Sequence, residues 1–148
     1  MRKITHLVVH CTASPDYMDV GFQEINQWHK DRGFLSPSGV HCGYHYIIRR
    51  DGTIEKGRPD EEVGAHAKGV NSKSLGIVWA GTNEITPKQH TSLIALLQNL
   101  KDQYSINIDN VLGHREAVET DKTCPNLAMD KIRASVLFTQ PKVKVSRT

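Results

Sequence analysis

The chain has 148 residues, of which 38% are hydrophobic. A domain of about this size buries roughly 70% of its unfolded surface, so we expect one domain with a conventional core. No apolar run reaches the roughly 20 residues that a membrane-spanning helix requires. The formal net charge is +3, and it equals the excess of cations in residues 140–148. Because the rest of the chain is balanced, its charge gives no indication of a nucleic-acid partner.

The N-terminal residues and the number of cysteines indicate the cellular compartment in which the protein is made. Basic residues precede a short apolar run there, but the run is too short for a signal peptide and lacks a cleavage site of small residues. The three cysteines, Cys11, Cys42 and Cys124, cannot all pair with one another. We therefore expect synthesis in the cytoplasm, with Cys11 and Cys42 as buried free thiols.

The pattern of apolar residues predicts strands alternating with helices. Strands are expected over residues 4–10, 43–50, 53–56, 74–81 and 108–112, and helices over residues 20–32, 86–104 and 127–137. Asp51-Gly52 indicates a hairpin turn, and Thr86 with Gln89 indicates a helical capping box. The expected fold class is α/β, a single monomeric domain with a mixed central sheet flanked by helices. It would span residues 1–138, followed by a flexible basic tail over residues 139–148.

Residues 111–125 carry the side chains that a metal-assisted hydrolase needs. They include His114, Glu116, Lys122 and Cys124, which are two potential zinc ligands, a carboxylate and a cation. A third ligand must come from elsewhere, and His10 at the end of the first strand is the best candidate. We predict one zinc ion held by His10, His114 and Cys124, with a fourth position open. For His10 taken by itself, a buried histidine satisfied by a carbonyl is an equal alternative.

Four segments in order carry a resemblance to a known family. They are VVHCTAS at 8–14, GYHYIIRRDGTI at 43–54, GAHAKGVN at 64–71 with SLGI at 74–77, and GHRE at 113–116 with KTCP at 122–125. Together they resemble the zinc-dependent N-acetylmuramoyl-L-alanine amidases, the family of short phage endolysins and of peptidoglycan recognition proteins. The resemblance covers residues 4–137 and implies a shallow substrate groove above the zinc site.

The resemblance also implies roles for individual residues. It assigns Tyr44 and Lys122 to catalysis and His66, in the glycine-rich loop (residues 57–73), to substrate binding. Tyr44 taken by itself is equally consistent with a partly buried core tyrosine. Apart from the resemblance, Glu116 is a candidate general base. Because it lies only two residues from His114, we expect its carboxylate instead to support His114 or to pair with Arg115.

The expected activity is hydrolysis of the amide bond between N-acetylmuramic acid and L-alanine in peptidoglycan. The enzyme would be made in the cytoplasm and would reach the cell wall with the help of another protein. Two alternatives remain open at this point. One is a peptidoglycan-recognition module without activity, and the other is a cysteine hydrolase that uses Cys11 or Cys42 with a histidine.

Overall fold

A computed structural model describes residues 1–138, and the predicted basic tail over residues 139–148 lies outside the described residues. Its five strands form one sheet in the order β3-β2-β4-β1-β5. The strands are β1 (His6–Cys11), β2 (Tyr46–Ile48), β3 (Ile54–Lys56), β4 (Ser74–Trp79) and β5 (Val111–Gly113). Only the β2–β3 pair is antiparallel, so the prediction of a mixed sheet is confirmed.

Helices cover both faces of this sheet. They are α1 (Phe22–Asp31), α2 (Pro87–Gln103), α3 (His114–Ala117) and α4 (Met129–Phe138). Buried side chains of α2 and α4 form one core with β1 and β4, and Ile25 of α1 belongs to a second core that includes Val78 of β4. Burial on both faces explains why β1 and β4 read as continuous apolar runs. The predicted α/β class is therefore confirmed.

Strand β1, between β4 and β5, determines where the functional end of the sheet lies. It pairs in parallel with β4 on one side, from His6↔Ser74 to Cys11↔Trp79. On its other side it pairs in parallel with β5, ending at Val9↔Gly113. Because β2 is also parallel to β4, the carboxyl ends of four strands meet at one rim, which is where ligands gather in open α/β sheets.

The structure corrects three expectations from the sequence. Residues 108–110, expected to begin a strand, form a short 3-10 helix (Ile108–Asn110) before β5. The strand expected over residues 43–50 is regular only at Tyr46–Ile48. The Gly43 carbonyl instead accepts from the Ala65 N–H of the glycine-rich loop, and the Gly43 N–H donates to Nδ1 of His29. Trp28 was expected in the core with Ile25, but it is 39% exposed. Among residues 1–138, no helix is both long enough and apolar enough to cross a bilayer.

The start of α2 joins the helix to the β2–β3 hairpin. The Thr86 hydroxyl accepts a hydrogen bond from the Gln89 N–H at 3.0 Å and donates one to the Arg50 carbonyl at 2.8 Å. The Gln89 side chain returns a bond by accepting from the Thr86 N–H at 3.0 Å. The predicted capping box is therefore present, and it also fixes the helix against the turn.

We predict that Thr86→Ala lowers the free energy of unfolding by about 1–2 kcal/mol, because it removes the cap and exposes an unpaired amide at the helix start. Urea unfolding followed by circular dichroism measures this change. Lys88→Ala is the matched control, since Lys88 is an exposed side chain in the same turn and alanine favours the helix. Equal stability of the two variants would contradict the account of the cap.

Candidate metal centre

Two histidines meet at the rim because their strands are hydrogen-bonded neighbours. His10 is the fifth residue of β1, and His114 directly follows β5 as the first residue of α3. Since Val9 is paired with Gly113, the next position along each strand carries one of the two imidazoles. Their ring centroids lie 4.5 Å apart, so the structure brings this predicted pair together.

The loop that carries Cys124 is tied to the same rim. The Arg115 N–H donates to the Cys124 carbonyl at 3.1 Å, and the indole N–H of Trp79 donates to the Pro125 carbonyl at 3.0 Å. Gly113 permits the close approach, because a Cβ built on it would lie 2.7 Å from Cδ of Pro125. These contacts place the Cys124 sulfur beside the two histidines.

His10, His114 and Cys124 fit a zinc ion both in donor chemistry and in spacing. Each offers one ligand atom, and the three atoms lie within 4.8 Å of one another. Two imidazoles and a thiolate form a ligand set typical of catalytic zinc, with a fourth position left for water or substrate. Burial lowers the pKa of His10, and burial together with the Lys122 charge lowers that of His114. Both rings are therefore neutral near pH 7, as metal binding requires.

His66 extends this group into a chain of hydrogen bonds. Its Nδ1 lies 2.9 Å from Nε2 of His10, and its Nε2 lies 3.3 Å from the Ser74 hydroxyl. When His10 donates through Nε2 and His66 donates to Ser74, Nδ1 of His10 keeps a free lone pair. The His66 ring is also closely enclosed, because a Cβ on Gly76 would lie 2.6 Å from its Cγ. His66 thus fixes the orientation of His10, as the partners of metal-bound histidines do.

Cys11 and Cys124 lie next to each other. The Cys11 N–H donates to the Cys124 sulfur at 3.2 Å. The hydrogen bond between the thiols lowers the pKa of Cys11 to about 7, and the same bond with burial raises the pKa of Cys124. A metal cation bound to Cys124 would make Cys124 the thiol that loses its proton, because a coordinating thiol is deprotonated. The backbone N–H then stabilises the Cys124 thiolate.

A cavity of about 640 Å³ opens over this rim, and both residues predicted to be catalytic line it. Tyr44 is half-buried, and its ring centroid lies 5.1 Å from that of His10. Burial raises the pKa of the Tyr44 phenol, so the hydroxyl stays protonated at neutral pH. Lys122 is an exposed residue of the cavity wall. Tyr44 therefore packs against the second core and also lines the cavity.

The sequence reasoning did not identify the contribution of α1 to this cavity. Trp28, His29 and Arg32 of this helix segment line it together with Phe34. The sequence does show Trp28 and His29 at the end of an apolar stripe on this helix. Packing of the stripe in the core explains that pattern equally well. Only the position of the helix beside Tyr44, whose ring centroid is 5.4 Å from that of His29, reveals its role.

Glu116 supports the segment before His114. Its carboxylate accepts from the Gly113 N–H at 2.9 Å and forms an ion pair with Arg133 of α4 at 2.8 Å. The expected ion-pair partner, Arg115, was therefore wrong, because α4 brings a different arginine to the carboxylate. Glu116 holds the β5–α3 junction and consequently the position of His114.

The arrangement agrees with comparisons to known proteins. Residues 1–127 match the family described as N-acetylmuramoyl-L-alanine amidase. An endolysin of Klebsiella phage KP32 is 38% identical over 138 residues, which are 88% of this chain and 85% of the relative. Peptidoglycan-recognition protein SC2 of Drosophila melanogaster is 33% identical over 132 residues, which are 82% of this chain and 68% of the relative.

A solved structure shows the same fold. It is the N-acetylmuramoyl-L-alanine amidase LysC from Clostridium intestinale URNW, which superposes with a TM-score of 0.79 at 35% identity and covers 92% of this chain and 87% of that one. Agreement over nearly the whole described chain indicates that the sheet rim and its loops belong to a shared architecture.

We predict that His66→Ala weakens zinc affinity by about 10- to 100-fold, the usual effect of removing a partner of a metal-bound histidine. Competition with a chromogenic chelator measures the dissociation constant. Cys124→Ser, which removes a ligand, should weaken binding further still. His90→Ala removes a histidine of α2 outside the cavity and should leave the affinity unchanged. Wild-type affinity in the His66 variant would show that the hydrogen bond to His10 has no effect on the metal site.

Proposed function

Since this chain belongs to the N-acetylmuramoyl-L-alanine amidase family, we propose that it hydrolyses the amide bond between N-acetylmuramic acid and L-alanine in peptidoglycan. The observation that carries the proposal is the convergence of His10, His114 and Cys124, with ligand atoms within 4.8 Å, at the floor of a cavity. A family scaffold alone does not establish chemistry, because function depends on the site. Here the donor set, the spacing and the open cavity all favour a hydrolase.

The metal in this proposal is a single zinc ion held by His10, His114 and Cys124. When bound, zinc acts as a Lewis acid that activates water and polarises the scissile carbonyl. The protein's part is to present two neutral imidazoles and one thiolate in a fixed arrangement. Burial keeps the histidines unprotonated, and the Cys11 N–H stabilises the sulfur charge at 3.2 Å.

Tyr44 and Lys122 are proposed to stabilise the negative charge that develops on the carbonyl oxygen. Attack on an amide converts that oxygen into an oxyanion, which donors placed in advance stabilise strongly. The raised pKa of Tyr44 keeps its phenol protonated, so it can donate a hydrogen bond. Lys122 lines the same cavity and supplies a positive charge, so the two act as an oxyanion site.

The family resemblance predicts that His66 binds substrate, but its hydrogen bonds favour a structural role beside His10. Both ring nitrogens have partners within the protein, His10 and Ser74. The ring edge still forms part of the cavity wall. We therefore propose that His66 shapes the groove while its hydrogen bonds serve His10.

The structure disfavours a cysteine hydrolase. Cys42 is fully buried, and burial raises the pKa of its thiol to about 11, so it is a poor nucleophile. Cys11 is 6% exposed, and its sulfur forms hydrogen bonds with Cys124 and Asn126. Within residues 1–138, no histidine forms a hydrogen bond with either thiol, as the base of such an enzyme would.

A peptidoglycan-recognition module without activity is the second candidate, and similarity to protein SC2 supports it. The discriminating feature is Cys124, because loss of that ligand would leave a groove without a complete metal site. Cys124 is present and positioned beside both histidines. We accordingly favour catalysis, and we propose an endolysin that acts on the bacterial cell wall.

We expect the zinc-loaded protein to release free L-alanine amino groups from purified muropeptides, with products identified by mass spectrometry. Removing the metal with a chelator should abolish release, and added zinc should restore it, because the protein ligands alone supply no activated water. Undiminished activity in excess chelator would overturn the zinc proposal. Tight binding without any cleavage would instead favour the recognition module.

We predict that Tyr44→Phe lowers kcat by about 100- to 1000-fold, the usual effect of removing one oxyanion donor. The binding of zinc and the free energy of unfolding should not change, because the ring and its contacts remain. Tyr17→Phe is the matched control, since Tyr17 is 91% exposed and does not line the cavity. A kcat near that of the wild type in the Tyr44 variant would remove this phenol from the mechanism.

A further inference from the structure

The charged residues of the cavity wall have one sign only. Arg32, Lys68 and Lys122 line the cavity, and no aspartate or glutamate does so among the described residues. Charges of one sign along a cleft concentrate oppositely charged ligands there. The cavity is consequently suited to an anionic substrate.

Arg32 differs from most other arginines of the described chain in having no acceptor. Side chains of five others donate hydrogen bonds, namely Arg2, Arg49, Arg50, Arg58 and Arg133. The Arg32 guanidinium carbon instead lies 4.7 Å from the centroid of the Phe34 ring. Stacking on an aromatic face limits the orientations of the planar group. Its N–H donors are left available for a ligand.

Arg32 is held at the end of α1, where its backbone N–H donates to the carbonyl groups of Trp28 and His29. Arg32 lines the same cavity as Tyr44, and the ring centroid of His29 lies 5.4 Å from that of Tyr44. Lys68 lies on the glycine-rich loop, so the two cations come from two separate segments, the end of α1 and this loop. Because Lys122 is assigned to the oxyanion, Arg32 and Lys68 are available for parts of the substrate away from the scissile bond.

We propose, on the basis of the proposed function, that Arg32 determines specificity by binding a free carboxylate of the stem peptide. In peptidoglycan, the second stem residue is a glutamate linked through its side chain, and its α-carboxyl group is a free acid in some walls and a primary amide in others. A guanidinium recognises a carboxylate with two parallel charge-assisted hydrogen bonds, which a carboxamide cannot provide. The enzyme therefore prefers the acid form.

The experiment compares two synthetic muramoyl tetrapeptides that differ only in having an acid or an amide at that position. For the wild-type zinc enzyme, kcat/KM for the acid should exceed that for the amide by about tenfold or more, the ratio expected for one charge-assisted pair. In Arg32→Gln the ratio should fall to about 1, through a higher KM for the acid with kcat retained. Lys30→Gln removes an exposed cation of α1 that does not line the cavity, and it should keep the wild-type ratio.

Two results would overturn the proposal for Arg32 while leaving the amidase function intact. These are equal rates of the wild type on both peptides, or an unchanged ratio in Arg32→Gln. If neither peptide is cleaved, the proposed function fails. Titration of the protein with each peptide, followed by the fluorescence of Trp28, then decides the role of Arg32. The only other tryptophan, Trp79, is fully buried, so the signal reports on the cavity. A preference for the acid that Arg32→Gln abolishes would support the proposal, and equal dissociation constants would refute it.

Discussion

The parallel pairing of β1 with β5 is the constraint on which the site depends. Its register ends at Val9↔Gly113, and the next residue of each chain segment is a histidine. Strand pairing alone therefore places two imidazoles side by side, although His10 and His114 are more than 100 residues apart in the sequence. Glycine at position 113 then lets the Pro125 ring pack closely, which brings in the sulfur of Cys124. A slip of one residue would turn these side chains to opposite faces of the sheet.

Burial makes this rim suited to a metal. The low exposure of His10 disfavours its protonated form, so its lone pair remains available at neutral pH. The phenol of Tyr44 responds in the opposite sense, because burial disfavours the anion and retains the proton. One physical effect thus gives an acceptor for the metal and a donor for the substrate. The cations Lys122 and Arg32 remain toward solvent, where their charge costs little.

The glycine-rich loop connects the scaffold to the site. His66 occupies space that only Gly64 and Gly76 leave free, and Asn71 holds the loop by accepting from the His66 and Ala67 N–H groups. The loop can therefore fix an imidazole against His10 while presenting Lys68 to the cavity. Rigid backbone placement of this kind is what a metal ligand's partner requires.

The sequence by itself determined the elements and the chemistry of the site. Apolar runs identified β1 and β4, Asp51-Gly52 identified the hairpin, and Thr86 with Gln89 identified the start of α2, because each depends on local propensity and hydrogen bonding. The ligand types His10, His114 and Cys124 followed from their preference for zinc. These features are local or chemical, so a sequence can contain them in full.

Tertiary structure alone decided which residues share a surface. Trp28 proved to face the cavity because α1 packs through Ile25 instead, and Glu116 pairs with Arg133 because α4 returns beside the β5–α3 junction. The contact between His10 and His66 likewise depends on where the glycine-rich loop folds back. Side-chain periodicity gives the face of an element, but the neighbour of that face depends on packing between distant segments. That is the physical reason why the sequence could name the candidate ligands and could not describe the groove around them.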